Sequence, residues 1–216
     1  VLEARPPAEA LGVEPARAAE IGHAEGDDGD RLRRRRGHAA GPLPRARLPL
    51  NVFEPRYLDL VSHCMKNDCG FGIVRITEGH EIILAQGSEP PATARVGTLA
   101  RIVDWDALPG GRLRITIEGG RRFRVASRRL APDRLMYGGI DWLPDAAALP
   151  LADDYVHLQE IMSGLAEHPA LARLGVSGAQ PDSAHLAYAL AQYLPLDEDD
   201  RYAVLLEQDP LRGLEF

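Results

Sequence analysis

Leu48-Pro-Leu-Asn-Val-Phe-Glu-Pro-Arg-Tyr57 is the stretch on which the fold of this chain turns. Its first six residues are extended and mostly apolar. Pro49 within them suits an edge strand, because proline has no N–H to offer a neighbouring strand. Glu54-Pro55-Arg56-Tyr57 then opens a helix, with proline in the first turn, where an N–H would lack an intrahelical partner anyway. Tyr57, Leu58, Val61, Cys64 and Met65 follow at helical spacing and define one apolar face. Asn67-Asp68-Cys69-Gly70 ends that helix.

Working outward toward the carboxyl end, the period changes to that of strands. Phe71 to Ile76 and Glu81 to Ala85 read as short strands joined by a turn around Gly79, and Gly97 to Trp105 reads as another. Arg112 to Glu118 alternates cleanly, with Leu113, Ile115 and Ile117 on one face and Arg112, Arg114, Thr116 and Glu118 on the other. A three-residue turn, Gly119-Gly120-Arg121, would set Ile117 opposite Phe123, Ile115 opposite Val125 and Glu118 against Arg122. Tyr137 to Trp142 is the last strand candidate. Several short strands with one early helix predict a small barrel or sandwich over residues 45–144.

From residue 150 to 216 the chain is helical. Ala152 to Glu167 carries Tyr155, Leu158, Ile161, Met162 and Leu165 and stops before Pro169. Asp182 or Ser183 caps a helix bearing Leu186, Leu190 and Tyr193, Asp197 caps another, and Asp209-Pro210 starts a final turn. In the other direction, residues 1–44 hold Pro6-Pro7, the acids Asp27, Asp28 and Asp30, and a run of arginines from Arg31 to Arg36. Sparse apolar residues without a period predict a disordered or atypical tail there.

The formal charge of -7 argues against nucleic acid as the main partner, since phosphate binding draws on a surplus of cations. No stretch approaches the length of a membrane span, and the amino end lacks the apolar core of a secretory signal. Cys64 and Cys69 make no disulfide framework, so a cytoplasmic location is expected.

Four segments in order resemble the amino-terminal substrate-binding domain family of Lon proteases. They are Leu48 to Tyr57, Gly70-Phe-Gly-Ile-Val74, Gly97-Thr-Leu-Ala-Arg-Ile102, and Gly111 to Ile117 with Gly120-Arg-Arg-Phe-Arg-Val125. Leu194-Pro195-Leu196 and Leu205 to Leu211 look like the short bacterial members. The resemblance covers residues 45–216. It implies an α+β fold, a PUA-like β-barrel with one early helix and then a helical bundle. It also implies binding of unfolded or specific protein substrates, with no catalytic residue, cofactor or metal, and a protease or adaptor as a further partner. In full-length Lon an ATPase and a serine–lysine peptidase follow, whereas this chain stops at Phe216, so a stand-alone module is expected. Before Leu48 only Gly41-Pro42-Leu43-Pro44 echoes the family, so residues 1–45 are expected to be a misread or foreign terminus.

Groups that could carry chemistry fail on spacing. Lys66, the only lysine, is followed by Asn67 and not by the Ser or Thr of a phosphate loop, and its pairing with Ser62 reads as a surface accident. His63, Cys64 and Cys69 fall short of the four ligands of a structural zinc site. Asp104 and Asp106 flank Trp105 at a strand end and read as a loop signal, with Trp105 as a candidate recognition residue. Arg112, Arg114, Arg122 and Arg124 line the polar side of one hairpin, which reads first as a solvated sheet face and, as a candidate recognition stripe, would serve peptide or acid binding or, as the alternative function, RNA binding. Phe53, Glu54, Pro55, Arg56 and Tyr57 read as fold determinants, with Glu54 capping the helix, Arg56 pairing with an acid and Tyr57 on the buried face.

Overall fold

A computed structural model describes residues 19–22, 41–78 and 92–213. The Arg31–Arg36 run, the Gly79 turn and the Glu81–Ala85 strand lie outside the described residues. Among these residues the strands are β1 (Ala19–Gly22), β2 (Arg47–Val52), β3 (Phe71–Glu78), β4 (Ala92–Leu108), β5 (Arg112–Leu130) and β6 (Met136–Trp142). The early helix α1 spans Pro55–Asn67; α2 (Val156–Ala166), α3 (Pro169–Arg173), α4 (Ser183–Tyr193), α5 (Glu198–Leu206) and α6 (Pro210–Gly213) follow the sheet.

The sheet runs β2-β5-β4-β3-β1-β6, and β6 returns to pair with β5, which closes the barrel. Among the described strands, β1 pairs with β3 in parallel and the other pairs are antiparallel. Part of the segment expected to stay outside the core is therefore inside it. Ala19–Gly22 bridges β3 and β6, and Leu43 is buried with its N–H on the side-chain oxygen of Gln192. Gly41-Pro42-Leu43-Pro44 is too short to display a period, which is why the pattern hides it.

The seed stretch behaves as its residues dictate. Arg47 turns its N–H and C=O toward the Tyr193 hydroxyl, away from β5. Pro49, two residues on, shares that outward side, where its missing N–H disrupts no ladder. Helix α1 starts at Pro55 and ends where Asp68 adopts a left-handed conformation, φ 46°. Glu54 occupies the N-cap position but makes no side-chain cap. Its carboxylate is instead held by Arg56, 3.0 Å from Nε and 2.9 Å from Nη2, while Arg56 Nη1 donates to the Arg134 carbonyl. The arginine also lies over the Tyr57 ring, 4.6 Å from its centroid. Glu54 is thus an ion-pair anchor and not a cap, because a guanidinium offers it stronger bonds than a backbone N–H.

The proposed Gly119 hairpin does not form. β5 runs straight through Gly119-Gly120 to Leu130, its first half pairing with β2 and β4 and its second with β4 and β6. Ile117 stands opposite Ile102 and Leu48, Phe123 opposite Gly97 and Trp142, and Glu118 pairs with Arg47 at 2.8 Å. Gly119 is glycine because the Leu43 carbonyl crosses where a Cβ would sit, so the residue admits a neighbouring chain segment. The real hairpin joins β4 to β5 through Pro109-Gly110-Gly111, whose two glycines take φ 80° and 74°.

One core packs α1 onto the sheet through Leu50, Val52, Ile115 and Ile117 against Leu60, Val61 and Cys64. A second fills the barrel with Val74, Phe123, Met136 and Ile140. A third joins barrel to helices, with Leu43, Ala46 and Val96 against Ala184, Tyr188, Val204 and Leu205. Each fully buried aliphatic side chain contributes about 2 kcal/mol. Asp182 and Asp197 cap α4 and α5 as their sequence predicts, accepting from His185 N–H and Asp200 N–H at 2.9 Å each.

Candidate recognition surface

β4 and β5 are long enough to outrun the barrel. From Ala92 to Ala100, β4 pairs with β3 and is largely buried; from Arg101 to Leu108 it pairs, among the described residues, with β5 alone and is largely exposed. The result is an arm whose sheet is completed by β2 on the far side of β5. One face of the arm carries Leu113, Ile115 and Ile117 toward α1.

Trp105 stands opposite Ile115 in register, yet it is 51% exposed where Ile115 is fully buried. Its N–H is held by the Asp104 carboxylate at 2.9 Å, which fixes the backbone without covering the ring. A register shift between Ile102 and Asp104 inserts Val103, also exposed. Phe53 is exposed too, just past β2. Leu50 and Val52 point into the core, so strict alternation already turns Phe53 outward, a signal present in the sequence. Of the motif Phe53–Tyr57, then, Phe53 is a surface residue, whereas Arg56 and Tyr57 are half-buried.

The four arginines do not form one stripe. Arg112 and Arg114 lie on the arm, where Arg112 donates to the Pro109 carbonyl and Arg114 faces Asp106 and the Asn51 side chain. Arg124 is exposed on the other half of β5, opposite Asp141. Arg122 is 3% exposed and donates to the carbonyls of Leu205 at 2.8 Å, Glu207 at 2.6 Å and Pro144 at 2.9 Å. It closes the C-terminal end of α5, where cationic donors satisfy the last carbonyls of a helix.

Of the groups weighed for chemistry, Lys66 is exposed, Cys64 is buried, and Cys64 and Cys69 form no disulfide. Among the described residues no cluster could hold a metal ion, and no helix is long and apolar enough to cross a membrane. Asp182 and His185 are paired at 2.7 Å, and the Ser177 hydroxyl near them donates to the Ala179 carbonyl.

An antiparallel barrel with an early helix, followed by a helical layer, is the architecture of Lon amino-terminal domains. The crystal structure of a Lon N-terminal domain protein from Xanthomonas campestris superposes with a TM-score of 0.62 at 31% identity, covering 82% of this chain and 90% of that one. The N-terminal domain of a Mycobacterium avium complex Lon protease shares the fold at TM-score 0.54 and 12% identity, covering 92% and 95%. No curated protein matches the chain. The profile of the ATP-dependent protease La (LON) substrate-binding domain matches residues 39–215, and the chain belongs to that family.

Proposed function

We propose that this protein is a non-catalytic recognition module that holds extended segments of unfolded or specific protein substrates, with the β4–β5 arm as its contact. The observation that carries this reading is the arm itself. Val103 and Trp105 are each about half exposed beside an edge of β4 that no described residue pairs, and Phe53, equally exposed, stands past the end of β2 on the far side of β5. Covering the open half of an indole ring with apolar side chains contributes on the order of 2 kcal/mol. An extended peptide can add main-chain hydrogen bonds along a strand edge. Two cysteines without a disulfide suit a reducing compartment, and we assign the protein to the cytoplasm. A protease or adaptor that receives the held segment is the partner this reading calls for.

The test is fluorescence anisotropy with a labelled, reduced and carboxymethylated protein kept unfolded. Binding by the wild type and a roughly tenfold loss in Trp105→Ala are expected. Equal affinity in both, or no binding by either, removes the arm from recognition. Casein cleavage or nucleotide turnover by the pure protein, abolished by a substitution between residues 45 and 213, would overturn the non-catalytic assignment. RNA binding that weakens steeply with salt would return the exposed arginines to consideration.

A further inference from the structure

We infer that Asp104 guards the free edge of the arm. A substrate strand that adds to β4 has to take the Trp105 N–H from the Asp104 carboxylate, and that exchange decides which segments are admitted. The inference rests on the arm as the contact and names the groups through which the arm works.

The direction of each backbone group on the arm follows from the far side of the sheet. The Arg45 N–H donates to the Gly119 carbonyl and the Gly119 N–H to the Ala46 carbonyl, so Gly119 turns its backbone toward β2. Backbone groups alternate in direction along a strand, and Ile117, Ile115 and Leu113 therefore also turn toward β2, where they meet Leu48, Leu50 and Val52. Arg47, opposite Glu118, agrees: its N–H and C=O turn away from β5 to the Tyr193 hydroxyl. Glu118, Thr116 and Arg114 are left to serve β4, where they oppose Arg101, Asp104 and Asp106. The rungs between, Trp105 with Ile115 and Ala107 with Leu113, exchange no bonds from β4 to β5. Trp105 and Ala107 thus turn N–H and C=O outward, to the edge that no described residue pairs.

Of these two outward donors, the Trp105 N–H is already engaged. It donates to Asp104 Oδ1 at 2.9 Å, a bond strengthened by the charge of its acceptor. The register shift between Ile102 and Asp104 interrupts the edge just before it, and bulges and charges are the means by which strand edges resist indiscriminate pairing. Asp104 is exposed, so water can take the carboxylate once it lets go. The polar face does not select by net charge, because Arg101, Arg112 and Arg114 offset Asp104 and Asp106, and Glu118 is paired with Arg47. The guard acts through one hydrogen bond. A strand that displaces it antiparallel to β4 exchanges N–H and C=O with Trp105, and the side chain at that rung lies beside the indole. The segments admitted are therefore extended and β-prone, with an apolar residue and no proline at that rung.

The probe is a fluorescein-labelled, amidated heptapeptide of alternating threonine and valine, which has no charged side chain, and its binding is followed by anisotropy. Asp104→Ala should bind it roughly fivefold more tightly than the wild type. Asp104→Asn keeps an acceptor oxygen without the charge and should fall between the two. Ala107→Pro removes an outward donor and no ladder bond, and should weaken binding roughly tenfold. In the free wild type the Trp105 amide should exchange with deuterium more slowly than the Ala107 amide, and in Asp104→Ala the two should exchange alike. Equal tightening in Asp104→Ala and Asp104→Asn would assign the effect to charge alone and overturns the guard. Unchanged or weaker binding in Asp104→Ala, full binding in Ala107→Pro, no binding of the probe by any variant, or a wild-type Trp105 amide as fast as that of Ala107 also overturns it. If Trp105→Ala binds unfolded protein as the wild type does, the arm itself has failed. If Trp105→Ala is weakened while Asp104→Ala matches the wild type, only the guard has.

Discussion

Arg122 and Arg124 stand two residues apart on β5 and face the same outer side of the barrel, yet one is sealed from water and the other is open to it. The difference comes from chain far away in sequence. The end of α5 and the residue after it lay the Leu205 and Glu207 carbonyls over Arg122, while Arg124 sits between the strand rungs of Val96 and Asp141 and stays exposed. The same contrast separates the two halves of the molecule. Where helices α4 and α5 cover the barrel, outward residues such as Val96 become core; on the arm, Trp105 and Val103 stay at the surface. An outward position on a strand acquires its meaning only when the second layer docks.

The sharpest way to break this comparison is to remove the covered arginine. Arg122→Ala leaves three backbone carbonyls without their donor at a buried joint, and we expect a loss of about 3 kcal/mol in urea unfolding. Arg124→Ala should change stability by less than ~0.5 kcal/mol. Equal effects of the two would mean that the helical layer does not anchor on Arg122.

That pair also marks how far the sequence could be read. Strand β2, helix α1 and the caps of α4 and α5 were legible because each rests on neighbouring residues: Pro49 in an edge strand, Pro55 in a first turn, Asp182 and Asp197 before apolar runs. The course of β5 was not. Two glycines in an alternating strand fit a turn as well as a crossing point, and only the passage of Leu43 over Gly119 decides between them. Arg122 reads as one of four surface arginines because two of the three carbonyls it serves lie more than eighty residues later. Trp105 was legible as a candidate from its place between two acids; Phe53 was read for the fold although alternation turns it outward.

A smaller effect is expected from the cap of the helix that does the covering. Asp182 is buried and uses both carboxylate oxygens on His185, so Asp182→Ala should cost about 1 kcal/mol. If α4 owes its place to packing alone, the urea midpoint will not move.

Alkaline pH probes the covered side more gently. Burial pushes the hydroxyls of Tyr188 and Tyr193 above the ordinary tyrosine value of about 10; for Tyr193 the bond from the Arg47 N–H pulls weakly the other way. The folded chain therefore keeps those protons when the unfolded chain has begun to lose them. Stability from this source is complete below the ordinary value and falls as pH rises through the folded value. Just above pH 10 only part of the unfolded population is ionised, so the loss begins small. Tyr193→Phe should be less stable at neutral pH, having lost its bonds to Arg47, but should show a shallower fall above pH 10. An unchanged slope of stability against pH would place the alkaline loss elsewhere.

A mild stability effect should fall where the arm is barest, and there the comparison becomes functional. The Trp105 ring is half in water already, and its backbone N–H is held by Asp104 through a bond that does not involve the ring. Truncating it to alanine gives up only the covered half of the ring, so stability in urea should fall by about 1 kcal/mol. Ile115, directly opposite in register, is fully buried, and Ile115→Ala should cost about 3 kcal/mol. Two residues facing each other across one rung would then divide cleanly, one holding the sheet to α1 and the other remaining available to a partner. If Trp105→Ala proves as destabilising as Ile115→Ala, the indole belongs to the core, and the arm loses its strongest claim to recognition.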